Sequence, residues 1–177
     1  MDDKAVIAAM RQWIEKAVIG LNLCPFAKAV YVKNQVRYVV SHVPHLDGLL
    51  EDLDRELDFL AAADPDAVDT TLLIHPSLLA DFLDFNDFMQ LAEAAVGEHG
   101  LEGVIQIASF HPAFQFEGTT PDDIGNYTNR APFPTLHLLR EASIARAVAA
   151  FPEAETIYER NIETLKALGH AGWQALW

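Results

Sequence analysis

The chain has 177 residues, a formal net charge of −14 at neutral pH and a single cysteine, Cys24. That length suits one domain spanning residues 1–177, in which folding buries roughly 70% of the unfolded chain's surface. The acidity excludes the basic footprint that nucleic acids and anionic membranes require, and one cysteine excludes a disulfide framework or a cysteine-rich zinc site.

The first element is a helix from about Lys4 to Ile19, with Val6, Met10, Trp13, Ala17 and Leu21 on one stripe and Gly20 suited to a left-handed cap. Residues 29–41 read either as a hairpin turning at Lys33-Asn34 or as a lead-in to one strand, Val36 to Val40; the single strand is preferred. Leu46, Leu49, Leu50, Leu53, Leu57 and Leu60 then form the apolar face of an amphipathic helix. This helix opens the acidic stretch: residues 47–98 hold fourteen Asp and Glu against Arg55 alone. TTLLI, Thr70 to Ile74, reads as a buried strand. A turn capped by Ser77 and a helix from about Asn86 to Glu98 follow. Val104 to Phe110 is a third strand, and two further helices run from about Thr135 to Ala149 and from Pro152 to Leu168, the second ended by Gly169.

Strand, helix, strand, helix, strand is the pattern of parallel crossovers. The expected fold is α/β: a single domain with a small, mostly parallel sheet of three to four strands covered by about five helices. The N-terminus is acidic and carries Arg11 in its apolar stretch, which does not read as a secretory signal. No apolar run reaches 18 residues, so the expected location is the cytoplasm.

Three constellations are candidates for chemistry. Each strand is followed at once by histidine, His42, His75 and His111, at an edge where α/β sheets place ligands. His75 and His111 are candidate ligands of zinc or another divalent metal. The alternative is that each imidazole closes its strand by bonding a nearby carbonyl. Residues 111–134 then form a long segment without periodicity, rich in aromatics and prolines and carrying Asp122, Asp123, Asn126, Asn129 and Arg130. His111 and Asp122 or Asp123 are the candidate catalytic acid–base groups. Asn126, Asn129 and Arg130 are candidates for holding an anionic group. The local alternative is a turn at Pro121-Asp122-Asp123, with Asn side chains bonding their own backbone. Finally, His137, Arg140 and Glu141 would share a face of the next helix beside that loop, either as substrate contacts or as an ordinary solvated face. Cys24 fits a buried structural thiol; as a nucleophile it would need a neighbouring base.

The blocks GLNLCPFAKAV (Gly20 to Val30), TTLLIHP with the following DFLDFNDF, IQIASFHPAFQF and PDDIGNYTNRAPFPTLHLLREASI resemble the bacterial family called domain of unknown function 1415, over about Ala5 to Leu168. The resemblance implies a stand-alone bacterial protein and supplies no activity, cofactor or residue role. The residues themselves point to a soluble enzyme acting on a small polar or anionic substrate, with a metal-assisted hydrolase as its sharpest form. The alternative is a non-catalytic module that binds a ligand or a protein.

Overall fold

A computed structural model describes residues 1–177. It contains one four-stranded sheet made of β1 (Val36–Val40), β2 (Thr70–Ile74), β3 (Ile105–Phe110) and β4 (Thr135–Arg140), in the order β1-β2-β4-β3. β1 and β2 pair in parallel, whereas β4 is antiparallel to both β2 and β3. The first three strands therefore point the same way, as the crossover pattern predicts, but the sheet has only one parallel pair. The expected mostly parallel sheet is corrected by β4, which enters between β2 and β3 from the C-terminal side.

The helices are α1 (Asp3–Trp13), α2 (Ala27–Val32), α3 (Leu46–Ala62), α4 (Phe82–Glu98), α5 (Glu141–Ala150) and α6 (Ile157–Gln174). α3 and α4 cover one face of the sheet, where Leu53, Leu57, Leu60, Phe85 and Phe88 pack on Leu73, Ile105, Leu136 and Leu138. α1 and α6 serve the second face, where Val6, Met10, Trp13, Leu165 and Trp173 join Leu72 and Ile74. Alternation explains the partition: successive strand residues point to opposite faces, so Leu73 and Leu72 belong to different cores.

Thr135–Arg140 is a strand where the apolar spacing of TLHLLREASIARAVAA suggests a helix from its start. Leu, His and Arg carry little β-preference, but tertiary pairing on both sides decides the segment. Leu138, fully buried, faces the α3–α4 core, while His137 and Leu139 face the other way. The helix begins only at Glu141.

The N-terminal helix also departs from a simple cap. After Trp13 it widens into a π-helical segment, Ile14–Ile19, closed by Gly20 N–H on Glu15 O at 3.0 Å. Gly20 keeps right-handed dihedrals, and glycine is required there because a Cβ would lie 2.3 Å from the Lys16 carbonyl oxygen. The left-handed residue is Asn22 (φ 53°), a residue type that tolerates it. Gly169 (φ 70°) breaks α6 where a helix end is expected, and one more turn follows.

Replacing Leu138 by Ala should cost about 3 kcal/mol, because the two-sided position leaves little room for collapse. Leu139→Ala, half-buried on the other face, should cost less than half as much. Urea denaturation of the two variants measures both.

Candidate functional site

β1, β2 and β3 deliver His42, His75 and His111 to one edge of the sheet, but β4 separates the last two. Their strands lie two spacings apart, roughly 10 Å. The hydrogen bonds of both rings are complete. His75 Nδ1 accepts from the Ser77 and Leu78 N–H groups at 3.2 and 2.8 Å, and Nε2 donates to Val43 O at 2.8 Å. His111 repeats the arrangement, with Nδ1 accepting from Ala113 N–H at 2.9 Å and Nε2 donating to Leu79 O at 2.8 Å. Pro76 and Pro112 lack an N–H, so the ring meets the amide two residues on. Burial pushes both imidazoles below their ordinary range and keeps them neutral. Each ring joins its own corner to the loop that follows the preceding strand.

A metal would need lone pairs that these rings have already committed. No group of three or more His, Cys, Asp or Glu side chains is placed to hold a metal ion, so His75 and His111 do not fit the expected divalent site. His42 lies outside the pair, its Nε2 2.5 Å from Asp3 Oδ1.

The segment after His111 is ordered by its own polar groups. Asn126, fully buried, accepts from Phe116 N–H and Thr119 Oγ1 and donates to Thr120 O, at 2.8–3.0 Å. Asp123 caps the short 3₁₀ segment Ile124–Asn129 by accepting from Gly125 N–H. Asn129 donates to Ser109 O, and its own carbonyl accepts from His111 N–H. The Arg130 guanidinium donates to Phe114 O at 3.1 Å and Pro121 O at 2.8 Å and stacks on Tyr127. Asp122 contributes its carbonyl to His170. Both acids are exposed, and neither bonds His111, whose nearest acidic influence is Asp81. A run of aromatic contacts, His111 to Phe82, Phe82 to Phe114 and Phe114 to Phe116, pins the loop to α4.

The expected helical face of His137, Arg140 and Glu141 does not form, because β4 ends between His137 and Glu141. Arg140 donates to Val68 O and Ala63 O, closing the turn before β2. Glu141 opens α5. His137 stands in the sheet with Nε2 2.6 Å from Thr70 Oγ1, and burial pushes its pKa down to about 4. Cys24 is half-buried, and burial raises its thiol pKa, the opposite of an activated nucleophile.

A concavity elsewhere on the surface involves residues that sequence spacing does not connect. Arg11 of α1 and Glu15 and Ile19 of the π-helical segment face Lys28 and Tyr31 of α2 and Asn34 across an open concavity of about 460 Å³. Tyr31 Oη donates to Glu15 Oε1; burial, reinforced by that carboxylate, pushes its pKa up to about 12, so it stays a donor. Arg11 lies 5.1 Å from the Tyr38 ring centre, and neither Arg11 nor Lys28 forms an ion pair. A second, polar cavity of about 40 Å³ between Asn22, Pro25 and Asn161 has room for only a few waters.

With this fold and site in view, the chain belongs to the family described as protein of unknown function (DUF1415), which it matches over residues 5–175. No curated protein and no solved structure matches it. No helix is long and apolar enough to cross a membrane.

The buried imidazoles set a pH dependence. An unfolded histidine takes a proton near pH 6.5, whereas folded His137 takes one only near pH 4. Its stabilising contribution is therefore complete above pH 6.5 and is lost as the pH falls toward 4, by about 3 kcal/mol. His75 and His111 act in the same direction. Urea midpoints measured from pH 7 to pH 4 should fall, and His137→Phe should flatten part of that fall. Asn126→Ala should cost about 2 kcal/mol or more, because it strands buried donors and acceptors; thermal denaturation measures it.

Proposed function

We propose that the protein binds a small anionic molecule in the concavity between the π-helical segment and α2. The observation that carries this reading is the pairing of a volume of about 460 Å³ with two cations, Arg11 and Lys28, neither of which forms an ion pair. The volume lies within the range of roughly 300–1,000 Å³ typical of small-molecule sites. Local charge supports the same ligand class. Residues 1–40 carry six basic and three acidic side chains in a chain whose net charge is −14. Glu15, the one acid in the lining, accepts from Tyr31, which leaves the lining with two cations against one anion. Arg11 can fork onto a carboxylate or phosphate while Lys28 supplies a point charge.

This reading keeps the anionic small molecule that the residues suggest and moves it away from the histidine edge. Among the two functional classes, ligand binding has the better support: the strand-end histidines hold backbone and leave no acid–base pair beside the loop. No bond-making step is assigned to the concavity.

Citrate, pyrophosphate and inorganic phosphate, tested by thermal shift and calorimetry, should raise the melting temperature in a saturable way. Spermidine should not. Lys28→Ala should weaken the best anion about tenfold, and the Arg11→Ala/Lys28→Ala pair should abolish the shift. An anion that stabilises the double variant as well as the parent overturns the site.

A further inference from the structure

The concavity holds more than its two cations. Ile19, Tyr31 and Val32 also line it, and they give it an apolar share that an inorganic anion leaves unused. Val32 is 75% exposed, as much as the chain-terminal Met1 and more than any other large apolar side chain of the protein. α2 buries none of its residues, so the fold itself makes no use of that valine. A lone exposed aliphatic is ordinary on a surface. Here it lies in the same depression as Arg11 and Lys28, so one ligand can cover it and also meet a cation.

Tyr31 adds to the apolar share. Its one hydroxyl proton goes to Glu15, and burial together with that carboxylate keeps the phenol protonated at neutral pH. It has no second proton to donate to an anion, so its ring is what it offers. The charges of the lining also select. Arg11 and Lys28 against Glu15 leave one positive charge in excess, which a monoanion balances. A polyanion brings further negative charge against Glu15, whose side chain remains exposed. A carboxylate is the planar, singly charged group that suits the Arg11 fork.

We infer that the ligand of this concavity is an amphipathic monocarboxylate, an assignment that rests on the anion site proposed above and narrows it. The carboxylate meets Arg11 and Lys28, and a short apolar chain covers Val32, Ile19 and the Tyr31 ring. The chain is what separates this ligand from phosphate, pyrophosphate or citrate, which carry charge without an apolar body.

The probes are acetate, butyrate and hexanoate, with 1-hexanol and inorganic phosphate as controls, titrated into the full chain at pH 7 and followed by backbone amide NMR. Full burial of one CH₂ changes affinity about fourfold, and a chain lying on an open wall gains about twofold per CH₂. Hexanoate should therefore bind at least about tenfold more tightly than acetate, and more tightly than phosphate. 1-Hexanol, the same chain without the charge, should bind at least about tenfold more weakly than hexanoate. Val32→Ser should flatten the series while leaving acetate unchanged, whereas Lys28→Ala should weaken acetate and hexanoate by the same factor. Equal binding of acetate and hexanoate, equal binding of 1-hexanol and hexanoate, or unchanged hexanoate affinity in Val32→Ser overturns the assignment. If phosphate then still binds in a Lys28-dependent way, the anion site stands without it. If neither phosphate nor any of the three acids binds, both fall together.

Discussion

Two neutral imidazoles hold the corners on which the rest of the molecule is arranged. A strand that ends against a loop leaves backbone groups that must be paired. An imidazole can meet that need in two directions, because one nitrogen accepts while the other donates across the ring. His75 thereby fastens the turn after β2 to the loop after β1, and His111 fastens the turn after β3 to the loop after β2. Both rings must stay neutral to do so, and burial keeps them neutral. The long segment after His111 takes its starting direction from the second corner and is then held by Asn126, Arg130 and the aromatic contacts with α4.

The acidity of the middle of the chain has a partly structural use. Asp52 and Glu56, both buried, face β1 from α3. Asp52 accepts from Ser41 at 2.5 Å and pairs with Arg55, while Glu56 holds Arg37 at 2.7 Å. Farther round the same helix, Asp54 and Asp58 each lie 2.8 Å from a different nitrogen of His99, which raises that imidazole's pKa. The excess charge therefore fastens α3 to the edge strand and to the end of α4.

Local pattern was enough to place β1, β2, β3 and α3, because each has a clean period or a β-branched run; α4 starts at Phe82, four residues before the expected Asn86, because Asp81 caps it by accepting from Leu83 and Asp84 N–H. Local pattern also places the three histidines on one edge. Their chemistry is not legible, since the partners Val43 and Leu79 each lie 32 residues away along the chain and are chosen by packing. The prolines at 76 and 112 are the one local signal for a corner. β4 is hidden because TLHLLR runs unbroken into a helical sequence, and only neighbours on both sides make it extended. Arg11 and Lys28 carry no shared motif; the π-helical widening and the turn at Asn22 bring them together.

The order β1-β2-β4-β3 has a consequence for how the chain comes to be folded. The strand that fills the gap between β2 and β3 is the last of the four to be synthesised. Until residues 135–140 emerge, β2 and β3 each present an unpaired edge toward a partner that does not yet exist, and the Leu136 and Leu138 side chains are missing from the core beneath them. Pairing across that gap joins residues as far apart as Thr70 and Leu139, so it must close large loops before it is rewarded. Folding of the sheet is thereby tied to the completion of most of the chain, and the nascent protein passes through an interval of open strand edges in which a chaperone or a second copy can compete for the vacant position.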